Sequence, residues 1–191
     1  MLLVRSAFVF LIFCAATAFG RLGETADQFA QRYGAPIDTP ASQMADKNSP
    51  LLEGAIHHHY EYQGWRIKAA FIPPNGPAVR MEYSKIPKTG DIAMKDYEVQ
   101  AIMTASTPQG TSWKRTAYSN PDSPSKGFLS KSLEAYFGQA MGQQMYQRND
   151  GAMLWVFRPA TVRLELPLAR QFEEQVKAQK EEKGRASVPK F

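Results

Sequence analysis

Ile56-His57-His58-His59-Tyr60-Glu61-Tyr62-Gln63-Gly64-Trp65-Arg66-Ile67-Lys68-Ala69-Ala70-Phe71 is the stretch that decides the fold. It alternates apolar and polar residues on both sides of Gln63-Gly64, a pair suited to a tight hairpin turn. Pairing Tyr62 with Trp65 puts Ile56, His58, Tyr60, Tyr62, Trp65, Ile67, Ala69 and Phe71 on one face, the expected core side. The same register sets Glu61 opposite Arg66 on the other face as an opposite-charge cross-strand pair. Two independent cues thus agree on one register.

Working outward, Val79, Met81 and Tyr83 alternate with Arg80, Glu82 and Ser84 beyond a proline-rich loop, so the hairpin extends to a three-stranded meander. A helix over Thr25 to Tyr33 precedes it. Thr25 and Gln28 match a capping box, Ala26, Phe29, Ala30 and Tyr33 share one face, and Gly34 and Pro36 end it. Residues Pro36 to Pro50 read as a polar loop.

The second half follows the same order. Lys95 to Ala105 carries a helical face of Val99, Ile102 and Met103, and strands follow at Gln144 to Arg148, Ala152 to Arg158 and Thr161 to Leu166, with Asn149-Asp150-Gly151 as a hairpin turn. The strings Val79-Arg80-Met81-Glu82-Tyr83 and Val162-Arg163-Leu164-Glu165-Leu166 close the two halves. They fit either a duplicated unit or the convergence of alternating strands. The expected class is α+β: short helices on antiparallel meanders, with units at 21–90 and 91–167 and a charged C-terminal helix and tail at 168–191. In that helix Leu168, Phe172 and Val176 form the apolar stripe, and Gly184 to Phe191 are expected to fray.

The 191 residues include 23 Lys and Arg against 18 Asp and Glu, 43% hydrophobic residues and one cysteine, which excludes a disordered, collagenous or disulfide-stapled chain. Residues 1–20 read as a secretory signal: Arg5, then the apolar run Ala7 to Ala16, then Ala18-Phe19-Gly20. The run of about 13 apolar residues is short of the roughly 18 to 20 needed to span a bilayer. Removal of residues 1–20 takes away Cys14 and leaves 22 basic against 18 acidic residues. The expected product is exported, periplasmic or extracellular, without a transmembrane segment.

Leu22-Gly23-Glu24-Thr25 through Arg32-Tyr33-Gly34-Ala35-Pro36, with Glu98-Val99-Gln100-Ala101-Ile102-Met103 and Arg148-Asn149-Asp150-Gly151, resembles a family of uncharacterised exported bacterial proteins. A short helix ending in Tyr-Gly-x-Pro and leading into a meander is also similar to the repeat of β-lactamase inhibitory proteins and of small outer-membrane assembly lipoproteins. That second resemblance is one of architecture and implies helix-plus-meander units.

Two groups of residues bear on chemistry. His57 and His59 share a strand face about 6.6 Å apart along the backbone, a spacing that one metal ion can bridge. The neighbouring strand offers Ala70 and Lys68 opposite them, and a lysine opposes a cation, so exposed imidazoles without metal are expected. The second group lies in Ser106 to Ser132, rich in Ser, Thr and Pro, read as a long surface loop. Its Trp113, Lys114, Arg115 and Lys126 are candidate binding residues, cations for an anionic partner and an aromatic face for stacking. The plainer reading has Trp113 and Phe128 plugging the core. No phosphate loop, nucleophile elbow, zinc-protease helix or calcium loop is present. The expected function is an exported, non-enzymatic binding or interaction protein, without cofactor, that engages another envelope or extracellular protein and no nucleic acid through sheet edges or this loop. The alternative is a metal-dependent or hydrolytic enzyme built on His57 and His59.

Overall fold

The computed structural model describes residues 22–87, 92–116, 144–157 and 159–186. The signal-like residues 1–20, Lys126 and most of the Ser106 to Ser132 segment lie outside the described residues, as does the tail beyond residue 186.

Helix α1 (Ala26–Tyr33) starts on the expected capping box: the Gln28 N–H donates to Thr25 Oγ1 (3.4 Å) and Gln28 Oε1 accepts from the Thr25 N–H (2.8 Å). The hairpin follows as β1 (Ile56–Tyr62) and β2 (Trp65–Phe71), in the expected register, Tyr62 opposite Trp65 and Glu61 opposite Arg66. Gln63 and Gly64 take φ of 49° and 85°, the left-handed values of a type I′ turn. β3 is Ala78–Lys85, α3 is Asp96–Ala105, and β5 (Gln144–Arg148), β6 (Met153–Phe157) and β7 (Thr161–Glu165) form the second meander.

Three expectations are corrected. First, the Pro36 to Pro50 loop contains a helix, α2 (Pro40–Asn48), whose first turn is set by Pro40 and by a capping box between Thr39 and Ser42. Second, the segment read as loop contains strand β4 (Trp113–Thr116), paired with β5. Third, the C-terminal helix α4 (Pro167–Ala186) buries Ala169 rather than Leu168, which is 40% exposed, and it continues through Gly184 to Ala186 where fraying was expected.

The seven strands among the described residues join one antiparallel sheet in the order β1-β2-β3-β7-β6-β5-β4. The halves meet at β3 and β7, where the two Val-Arg-x-Glu strings pair about a local two-fold: Arg80 faces Glu165, Met81 faces Leu164 and Glu82 faces Arg163. On one face α1 and α3 cover Tyr60, Ile67, Phe71, Met81, Tyr83, Leu154, Val156, Val162 and Leu164, with Phe29, Tyr33, Val99 and Ile102 completing the main core. Val79 is the extra residue of a bulge opposite Ala70 and Phe71 and so leaves the Met81 and Tyr83 face. It joins Leu51, Leu52, Ala70 and Ala169 in a small second core beneath α4, where Phe172 and Val176 close over Gly54.

Among the described residues no helix is long and apolar enough to cross a membrane.

Candidate binding edge and cavity

A sheet of antiparallel strands ends in two edges whose outward N–H and C=O groups need partners. At the middle of the β1 edge, at His59, this chain supplies them. The Ile37 N–H donates to the His59 carbonyl (2.7 Å), and the His59 N–H donates to Asp38 Oδ1 (3.0 Å). Asp38 Oδ2 also pairs with His58 Nδ1 (2.7 Å), fixing the segment that leads into α2. From α2 itself, Asp46 reaches His59 Nε2 (2.8 Å) and Lys68 Nζ (2.5 Å).

This arrangement corrects the picture of exposed imidazoles. His57 and His59 are half-buried, and the Leu52 N–H donates to His57 Nε2 (3.2 Å). Burial holds the His57 imidazole below its ordinary pKa against the attraction of Asp46. Burial alone would raise the Asp46 carboxyl, but hydrogen bonds and charge from Lys68 and His59 outweigh it and hold it low. Lys68, expected to repel a cation, is instead neutralised by Asp46. Both histidine side chains are committed to holding α2 and the 51–55 turn, and no cluster of three or more metal-ligating side chains occurs among the described residues.

The β4 edge is built otherwise. The Asn149 N–H donates to the Ser112 carbonyl (3.1 Å), and antiparallel alternation from that bond turns the backbone groups of Lys114 and Thr116 toward β5. Those of Trp113 and Arg115 therefore point away from the sheet, with no partner strand among the described residues.

The side chains alternate accordingly. Trp113 is half-buried against the main core, donates from Nε1 to Thr107 Oγ1 (2.9 Å) and lies under the Arg148 guanidinium, 5.3 Å from its ring centroid. Arg148 is buried and held by Asp150 (2.7 and 2.8 Å) and the Ser106 carbonyl, and its hydrogen bonds lower the Asp150 carboxyl pKa. Trp113 thus anchors the strand, as the plainer reading has it for this residue, Phe128 lying outside the described residues, while Lys114 and Arg115 are exposed on opposite faces of the sheet.

On the α3 face Arg115 borders a cavity of about 240 Å³ lined by Asp96, Val99 and Gln100 of α3 and by Gln144 and Tyr146 of β5. The α3 positions follow i, i+3, i+4 spacing, which brings them onto one helical face. Tyr146 Oη donates to Gln144 Oε1 (3.0 Å), leaving the Gln144 amide nitrogen to donate. Sequence reading reached Arg115 but missed Asp96 and Gln100 of α3 and Gln144 and Tyr146 of β5, which the fold brings beside it from two other elements. Scans of family models, of curated proteins and of solved structures return no match to this chain.

Proposed function

We propose that this is an exported binding protein that engages an extended segment of another envelope or extracellular protein by adding it as an eighth strand at the β4 edge. The carrying observation is the contrast between the two edges: β1 is closed at His59 by Ile37 and Asp38, whereas the outward backbone groups of Trp113 and Arg115 meet no partner strand among the described residues. Strand addition of this kind draws affinity from main-chain hydrogen bonds and specificity from alternate side chains. The packing of Trp113 under Arg148 supports it, because an edge held in register is preorganised and loses little freedom on binding. Residues 1–20 support the compartment, and the charge of Lys114 and Arg115 disfavours pairing of this edge with a second copy of itself, like charges being brought face to face.

Site-specific photo-crosslinking in envelope extracts tests the reading. A crosslinker at position 114, on β4, should capture a discrete protein adduct, and one at position 61, on β1, should not. Equal capture from both edges, or capture from position 61 alone, sinks it.

A further inference from the structure

The cavity beside β4 narrows the chemistry of that segment, in an argument that rests on strand addition at this edge. Among the described residues five strand arginines are present, and four hold a carboxylate: Arg66 with Glu61, Arg80 with Glu165, Arg148 with Asp150 and Arg163 with Glu82. Arg115 is the fifth and holds none, although its guanidinium has five donors in a fork that matches a carboxylate. We propose that Arg115 recognises one acidic side chain of the added strand and seats it in the cavity between α3, β4 and β5.

The geometry follows from the strand itself. The outward backbone groups of Arg115 would pair with one residue of the incoming segment, and directly opposed residues point their side chains to the same face. Their Cβ atoms then lie about 5 Å apart, which is within reach of a two-pronged Arg-carboxylate contact over the cavity. Tyr146, Gln144 and Gln100 offer further polar groups. At about 240 Å³ the space suits one side chain and a few waters, being smaller than the roughly 300–1,000 Å³ of sites for whole drug-sized ligands. Asp96 brings a carboxylate to the same cavity, so a single acid on the Arg115 side is favoured over two. Lys114, one residue back and on the opposite face, matches an acidic neighbour in the segment. The ligand class is therefore an extended acidic peptide.

Three labelled peptides of about six residues, enough to span a four-residue edge, are titrated against the full chain by fluorescence anisotropy in low salt. One alternates Glu and Thr, one replaces Glu by Gln, and one keeps Glu but is N-methylated at alternate amides. The Glu peptide should bind roughly tenfold more tightly than the Gln peptide, and Arg115→Gln should erase that difference without moving the melting temperature. N-methylation facing β4 should abolish binding. Glu and Gln peptides binding alike, with N-methylation still blocking the Glu peptide, overturns the acidic specificity and keeps strand addition. Binding of the Glu peptide that survives N-methylation overturns strand addition, and an acid preference that survives Arg115→Gln overturns the role of Arg115. Binding of none of the three overturns both readings.

Discussion

The two halves of the sheet use the same strand pattern and are finished in opposite ways. In the first, the edge backbone of His59 is closed by Ile37 and Asp38, α2 is clamped through Asp46, and α4 lies over the outer face. In the second, the edge strand is pinned by Trp113 and its outward backbone meets no partner strand among the described residues. The two ion pairs at the seam show the same asymmetry. Arg80 is buried, donating to Glu165 (2.8 Å), to both oxygens of Glu173 on α4 (2.9 and 3.1 Å) and to the Leu51 carbonyl (2.8 Å). Its two-fold mate Arg163 donates to Glu82 (2.9 Å) while a third of its side chain faces solvent. The comparison teaches that one pattern of residues can serve as scaffold or as contact surface according to what the rest of the chain lays over it.

The largest effect should come from Glu165→Ala. It strands a buried guanidinium that retains only Glu173 and a carbonyl, and denaturant unfolding should show a loss of about 2–3 kcal/mol. Asp46→Ala comes next, at about 1–2 kcal/mol, because it leaves Lys68 and His59 half-buried without their shared partner.

The pH dependence of stability sharpens the contrast. The Asp46 pKa is lower folded than unfolded, so its stabilisation is complete above the ordinary carboxylate value of 3.8 and is lost as pH falls through the folded value. The His57 pKa is also lower folded than unfolded, but for a base this means that protonation favours the unfolded chain. Stability should therefore decline as pH falls below 6.5. His57→Gln, which can still accept from the Leu52 N–H, should flatten the slope between pH 7 and 5, and Asp46→Asn the slope below pH 4. Unchanged slopes in either variant would refute the assigned group.

At the other seam pair Glu82→Ala should cost less than about 1 kcal/mol, since partly solvated pairs are worth little. The smallest effect on stability belongs to the open edge. Lys114→Glu with Arg115→Glu should stay within about 0.5 kcal/mol in thermal unfolding while weakening capture at β4. Unfolding of that double variant would move these residues from a contact surface into the scaffold.

The hairpin was legible because alternation, turn residues and the Glu61-Arg66 pair point to one register. Helix α1 was legible from its cap. Helix α2 was not, since it buries no residue and so shows no apolar stripe, although Thr39-Pro40 is a helix-start signal that could have revealed it. Strand β4 is four residues long and finds its partner only at Gln144–Arg148, beyond residues 117–143, so nothing local announces it. Of the candidate site, Arg115 and Trp113 were visible as residue types. Their separation into rim and anchor follows from the strand, and Asp96, Gln100 and Tyr146 join them only through the packing of α3 on β4 and β5.

The position of β7 has a consequence in time. Every described strand pairs with a neighbour in its own half, but β7 pairs with β3 as well, and although it is the last described strand it stands fourth in a row of seven. Until residues 161–165 arrive, the first meander and the β4-β5-β6 ribbon have no common strand, and the Arg80-Glu165 contact spans 85 residues. Closing such a distant pair is the slow kind of folding event. A ribosome-bound chain that ends before residue 161 thus lacks the strand common to its two half-sheets, and the insertion of that one central strand turns them into a single body.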